Sequence, residues 1–282
     1  MKANFQIILL VITVVGSLFP RDLIAANRNS ESAANKVYID MIGELREMSK
    51  NIVIYSEQAT AANMESFRKM RKTRNDADYL LTKLQYSDFA VNHKARFEAI
   101  ASLWKEISTS VDTIVLALGA IIMSSEYAEA INESISVLLV EFNNTITRYA
   151  NLNNANSNQI HIVNSNMPLN LRITENTNKL YLNGKVTELD VDTLSQDITQ
   201  FGQVLDAMIN GNPDMKIDKV HDSNVQNQLT QLKELFDTIV NLVKGIKDQT
   251  HTLFEAKNAT NNIALNATIL VKTTTSMINS YK

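Results

Sequence analysis

Seven apolar residues occur twice at one constant offset. Phe97, Ile100, Leu103, Trp104, Ile107, Val111 and Ile114 share their spacing with Leu229, Leu232, Leu235, Phe236, Ile239, Val243 and Ile246, and the offset is 132 residues at every position. Steps of three and four put such residues on one face of a 3.6-residue helix. A helix that is apolar along one stripe is stable only when a partner element covers that stripe. The repeat therefore constrains the chain to packed helices, and points to one helical module present in two copies. Burying a Leu or Ile stabilises by roughly 1.5–3 kcal/mol. Seven positions contribute on the order of 10–20 kcal/mol per copy before the ordering cost of the chain is subtracted. Trp104 and Phe236 hold equivalent places in the two copies, and core packing is the expected role of both. A buried indole also needs a partner for its N–H.

Composition agrees with long helices and removes several kinds of chemistry. Only 7 glycines and 3 prolines interrupt 282 residues, and these are the two strongest helix breakers. A formal net charge of -3 with no basic block gives nucleic-acid binding no electrostatic support. Cysteine is absent, which excludes disulfides, thiol catalysis and Cys-ligated metals. The histidines at 93, 161, 221 and 251 form no metal-binding pair, and Glu44 and Glu47 have no nearby histidine. No nucleophile elbow, phosphate-binding glycine loop or metalloprotease motif is present. The expectation is a protein that is not an enzyme and carries no cofactor.

The amino terminus reads as an export signal. Lys2 precedes an uncharged stretch from Ala3 to Pro20, whose apolar heart is Ile8 to Val15, and small residues follow up to Ala26. This pattern predicts a signal peptide cleaved near Ala26. A retained anchor is the alternative, because 18 uncharged residues just suffice to span a bilayer. Residues 1–26 are the expected membrane contact in either case. Ile263 to Ile278 is interrupted by Asn266, Lys272 and threonines, so everything after residue 30 is expected on one side of the membrane.

Apolar periodicity predicts eight helices in two groups of four. The first group covers about Ser32–Thr60, Met64–Leu84, Lys94–Leu118 and a fourth helix from Ser124 or Ser125 to residue 150, with Asn63 as a cap and Gly119 as a weak point. Asn151–Asn158 is either a linker or a polar stretch within a connecting helix. The second group covers about Leu169–Leu182, Asp190–Ile209, Asn224–Lys247 and Thr250–Ile278. Asn183-Gly184 and Asn210-Gly211-Asn212-Pro213 are its stop signals. The expected fold is all-α: two tandem antiparallel four-helix-bundle modules, elongated, at residues 32–150 and 159–279.

The run from Phe201 through Asn210-Gly-Asn-Pro-Asp-Met215 to Ile217-Asp-Lys-Val220 resembles the periplasmic region of PilJ-type methyl-accepting chemotaxis transducers. Asn176-Thr-Asn-Lys-Leu180, Glu44-Leu-Arg-Glu-Met-Ser49 and Arg71–Asp78 extend the resemblance across about residues 32–278. It implies stacked helical modules that sense a stimulus and act in type IV pilus chemotaxis. Relatives with a single module of this kind bind nitrate or nitrite through arginines near a dimer axis, which implies an anion-binding role for Arg46, with Ser49 beside it. Lys50 departs from the family, which often has glutamine there. Receptors of the family continue into a second transmembrane helix, a HAMP linker and a cytoplasmic coiled coil. The chain is therefore expected to be either a portion of a receptor or a free-standing domain.

These readings leave three expectations for function. The first is a periplasmic or inner-membrane-anchored sensor or adaptor that meets a protein partner, such as pilin or a receptor, or a second copy as a dimer. The second is a small-anion binding module. The third is a secreted structural or virulence-associated helical protein. The partner-contact candidates are Asn210, Asn212, Asp214 and Met215. They lie in a connection ten residues longer than its first-copy counterpart, since Tyr79 and Phe201 are offset by only 122.

Overall fold

A computed structural model describes residues 21–152, 156–165, 172–173, 175–176 and 188–280. The described residues form eight helices, and their one extended pairing is an isolated bridge between Asn212 and Ile217. The chain is all-α. The helices are α1 (Arg21–Thr60), α2 (Met64–Gln85), α3 (Asp88–Asn92), α4 (Lys94–Leu116), α5 (Leu118–Ala150), α6 (Ser157–Ser165), α7 (Glu188–Asn210) and α8 (Ser223–Asn279). Most of the expected signal or anchor at 1–26, most of the helix expected at 169–182 and the Asn183-Gly184 stop lie outside the described residues. Among the described residues no single helix is long and apolar enough to cross a membrane.

The chain groups into two contact-dense units, and neither is one continuous stretch. Unit 1 takes residues up to Asn51, Lys72–Lys105 and Asn266 onward; unit 2 takes Ile52–Arg71 and Glu106–Leu265. In unit 1 the buried side chains include Leu45, Ala77, Leu84, Ile100, Trp104 and Leu270. The Arg96 guanidinium at the start of α4 donates to Ser280 Oγ beyond the end of α8 at 3.2 Å. In unit 2 one continuous apolar cluster joins α5, α6, α7 and the first half of α8. Phe142, Phe201 and Phe236 form its centre, with ring centroids 5.0 and 5.5 Å apart in sequence. Gly202 makes room there, since a Cβ on it would meet Phe236 Cε1 at 2.8 Å.

The repeat in sequence is also a repeat in burial. Ile100, Trp104, Ile107, Val111 and Ile114 are buried, and so are Leu232, Phe236, Ile239, Val243 and Ile246. Leu103 and Leu235 are half-buried in both copies, and only Phe97 and Leu229 differ, with Phe97 half-buried and Leu229 fully covered. Trp104 is 2% exposed, and its Nε1 donates to Asp78 Oδ1 at 2.6 Å. Asp78 is fixed in turn by Arg74 Nε, 3.1 Å from its other oxygen.

Helix ends follow the local chemistry, with two differences from expectation. Asn63 caps α2 through Oδ1, which accepts from Ser66 N at 2.9 Å. Ahead of it Ala62 takes φ 62 and Asn63 N reaches Gln58 O at 3.0 Å, closing α1 in the left-handed manner of a helix stop. The first difference is that α4 stops at Leu116 and α5 resumes at Leu118 across a 50° bend, instead of restarting at Ser124. Ala117, Ala120 and Ile121 are buried, so apolar packing draws this stretch into the helix and leaves Ser124 inside it. The second is that the expected helices 224–247 and 250–278 are one helix of 57 residues. Asp248-Gln249-Thr250 is polar but contains no proline or glycine, so nothing in it breaks the hydrogen-bond ladder. At Asn151–Asn158, left open between linker and helix, one helix ends at Ala150 and the next starts at Ser157. Asn151 caps the end of α5 and Asn156 accepts from Gln159 N at the start of α6, so the segment separates two helices.

Candidate functional site

The connection from α7 to α8 is held in a defined shape by its own sequence. Gly211, at φ +84, stops α7 and donates its N–H to Ala207 O at 2.8 Å. A side chain there would be strained, and a Cβ would also sit 3.2 Å from Lys219 N. Asn212 and Ile217 then exchange both backbone hydrogen bonds, at 2.7 and 3.0 Å. The turn they close carries Asn212 Oδ1 accepting from Met215 N at 3.1 Å, and Lys216 at φ 55. Asp222 accepts from Asn224 N and Val225 N, both at 3.0 Å, and so caps α8.

Side chains from elsewhere in unit 2 clamp this connection. Gln159 of α6, fully buried, donates to Asp218 O at 2.8 Å and accepts from Asp218 N at 3.3 Å. Gln226 Nε2 donates to Ile209 O at 3.2 Å and Val220 O at 2.5 Å. Ile217 and Val220 are buried in the unit's core. The backbone is thus anchored while Asn210, Pro213 and Asp214 face solvent. Of the four expected contact residues, Asn210 and Asp214 are exposed, and Asn212 and Met215 are half-buried and joined by the turn hydrogen bond. The clamp residues Gln159, Asp222 and Gln226 escaped the sequence reading. The run Asp222-Ser-Asn-Val225 before an apolar stripe was a legible cap signal, but the partner of a lone buried glutamine has no signature in sequence.

Arg46 and Ser49 stand three residues apart on α1 in unit 1. Ser49 is fully buried, and its hydroxyl donates to Leu45 O at 2.7 Å. Arg46 is part-exposed, with Nε 3.3 Å from Glu47 Oε1. That N–H is covered from water and makes no aligned hydrogen bond. Lys50 Nζ donates to the same carboxylate oxygen at 2.9 Å. The Lys50 hydrogen bond, aided by the charges of Lys50 and Arg46, holds the Glu47 carboxyl below its ordinary pKa. An anion approaching Arg46 meets this carboxylate.

Comparison with known proteins places the region. The chain is 26% identical to PilJ of Pseudomonas aeruginosa over 252 residues, which is 86% of the chain. It is 24% identical over 256 residues, 90% of the chain, to a methyl-accepting chemotaxis protein of Alcanivorax borkumensis, AlkN. The chain is a homologue of PilJ-type chemotaxis transducers. It spans 37% of the length of the first relative and 38% of the second. No family model matches it. The similarity takes in the apolar repeat, and the chain is an all-helical region similar to part of these chemotaxis transducers.

Proposed function

We propose that the chain is an extracytoplasmic sensor or adaptor region of the type IV pilus chemotaxis kind. It faces the periplasm, either free after cleavage near Ala26 or held by residues 1–26. The observation that carries this reading is the similarity to PilJ over 86% of the chain. On this reading a four-helix module occurs twice in the sequence, at 32–150 and 159–279, and the end of α8 belongs to unit 1. The partner is a protein, such as pilin or a receptor, and it meets the exposed rim of the α7–α8 connection at Asn210, Asn212, Asp214 and Met215. An anchored backbone with a polar exposed rim suits such contact, because little loop entropy is lost on binding. Binding shifts the populations of long helices that run through the domain.

A small anion at Arg46 is the second reading, favoured by the unbonded Nε donor and opposed by Glu47. Fractionation with mass determination of the mature amino terminus tests the first. A mature chain beginning near Asn27 in the periplasm, or an intact one in the inner membrane, is the expected result. Full-length protein in the cytoplasm refutes the extracytoplasmic assignment.

A further inference from the structure

Unit 1 contains a cleft of about 600 Å³ between α1 and α2, a size typical of small-molecule sites. Its apolar walls include Tyr38, Met41 and Met48 on one side and Tyr79 and Tyr86 on the other. Tyr79 is 64% and Tyr86 83% exposed, so aromatic surface is open to solvent at the cleft, with Lys83 over one face of Tyr79. Three charged side chains line the same cleft: Glu44, Asp76 and Lys83. Asp76 is already neutralised, with Lys72 Nζ 2.5 Å from its carboxylate. Glu44 carries no hydrogen bond or ion pair among the described residues. Lys83 Nζ sits over the Tyr79 ring, 4.4 Å from its centroid, and has no carboxylate partner among the described residues.

The charge inventory selects the occupant. One carboxylate and one ammonium are left without counter-ions beside an apolar, aromatic wall. An organic cation alone would meet the like charge of Lys83, and an organic anion alone that of Glu44. A neutral apolar molecule would strip water from both charges and pair neither. We propose that this cleft binds a small zwitterion of the α-amino-acid type. Its ammonium pairs with Glu44, its carboxylate with Lys83, and its apolar side chain lies on Tyr79 and Tyr86. Electron-rich tyrosine faces add to the attraction of the ammonium. The binding claim stands apart from the exported-sensor reading: fractionation decides compartment, calorimetry decides binding, and either can fail alone.

The test uses the full chain and isothermal titration calorimetry. L-phenylalanine and L-leucine are the zwitterionic probes, and phenethylamine and 3-phenylpropionate each lack one charge. Phenylalanine is expected to bind about tenfold or more tightly than either singly charged probe, the size of one charge-assisted hydrogen bond. Glu44→Gln is expected to abolish the preference over 3-phenylpropionate, and Lys83→Met the preference over phenethylamine. Tyr79→Ala should weaken all aromatic probes. These side chains are solvent-exposed, so circular dichroism should show all three variants folded. Equal affinity for all aromatic probes, or no binding of either amino acid at millimolar concentration, overturns the proposal. So does a dimer that is lost in Tyr79→Ala while no probe binds, which would assign the cleft to a second copy.

Discussion

Replacing Gly245 by alanine tests the packing of α5 on α8 directly. In a helix interior the change alone is favourable by about 1 kcal/mol, because glycine loses more backbone freedom on folding. At this position the new Cβ would meet Tyr127 of α5 at 2.5 Å from Cε2 and 2.9 Å from Cδ2. The ring must move, and forcing one methyl into a packed contact costs about 1–3 kcal/mol. The expected net effect is a loss of about 0–2 kcal/mol. Gly43 of α1 is the control, since nothing lies within 4 Å of a Cβ built there; Gly43→Ala should show the gain of about 1 kcal/mol alone. The two variants should then differ by about 1–3 kcal/mol in urea unfolding followed by far-UV circular dichroism, with unchanged slopes. Adding Tyr127→Ala to Gly245→Ala should restore the propensity gain as a measurable coupling. If Gly245→Ala stabilises as much as Gly43→Ala, the α5 ring does not rest on α8 at this point.

Two further perturbations probe features the sequence pattern did not set. Ala62 holds φ 62 at the end of α1, a conformation that costs an L-residue about 1–2 kcal/mol; Ala62→Gly is expected to raise stability by about 0.5–1 kcal/mol after the glycine's larger unfolded-state entropy is subtracted, and a lower urea midpoint would refute the strained turn. Lys233 lies 2.6 Å from Asp237 and 3.6 Å from Asp206. Partial burial alone would lower its pKa, but the hydrogen bond to Asp237 and the charges of both carboxylates outweigh burial and raise it. A raised folded-state pKa stabilises in full below the unfolded value and is lost as pH rises through the folded one. The stability difference between the parent chain and Lys233→Met should therefore be flat from pH 7 to about 10 and shrink at pH 11, and a difference that grows at pH 11 would refute the sign.

Where residues report on one helix face, the sequence was sufficient. The paired burial of Trp104 and Phe236 follows from a stripe that has only one way to escape water. The α7 stop at Asn210-Gly211 follows from a left-handed position that glycine fills without strain. What escaped the sequence was decided between elements. The close seat of Gly245 against Tyr127 joins residues more than 100 apart in the chain. Whether Ser124 starts a helix depends on the burial of Ala117, Ala120 and Ile121, which draws the preceding turn into α5. The clamp of Gln159 on Asp218 and the α1–α2 cleft are likewise products of packing, and single residues such as Tyr38 or Tyr86 carry no mark of it.

Of the ten extra residues in the second copy, four lengthen the connection and six extend the facing ends of α7 and α8. In the first copy the connection is short. Ser87 accepts from Ala90 N at 3.2 Å and starts the one-turn helix α3, while Tyr86 is left exposed at the mouth of the apolar cleft. In the second copy the longer connection folds on itself through the Asn212–Ile217 pairing and then borders a smaller cleft of about 350 Å³, lined by Tyr149, Asn156, Gln159, Asp218 and Asp222. The first border is aromatic and the second is polar, with Lys219 and His221 beside the two aspartates. The core positions that repeat in sequence also repeat in burial, so selection for packing does not account for the difference between the connections. Divergence at this connection, beside an apolar stripe that repeats, is what two copies would show if the helices carry the fold and the connection carries recognition. On that argument, exchanging residues 211–222 for the shorter first-copy connection should leave helix content intact and abolish binding of the proposed protein partner. Loss of helix content in the exchange would instead assign the connection to folding.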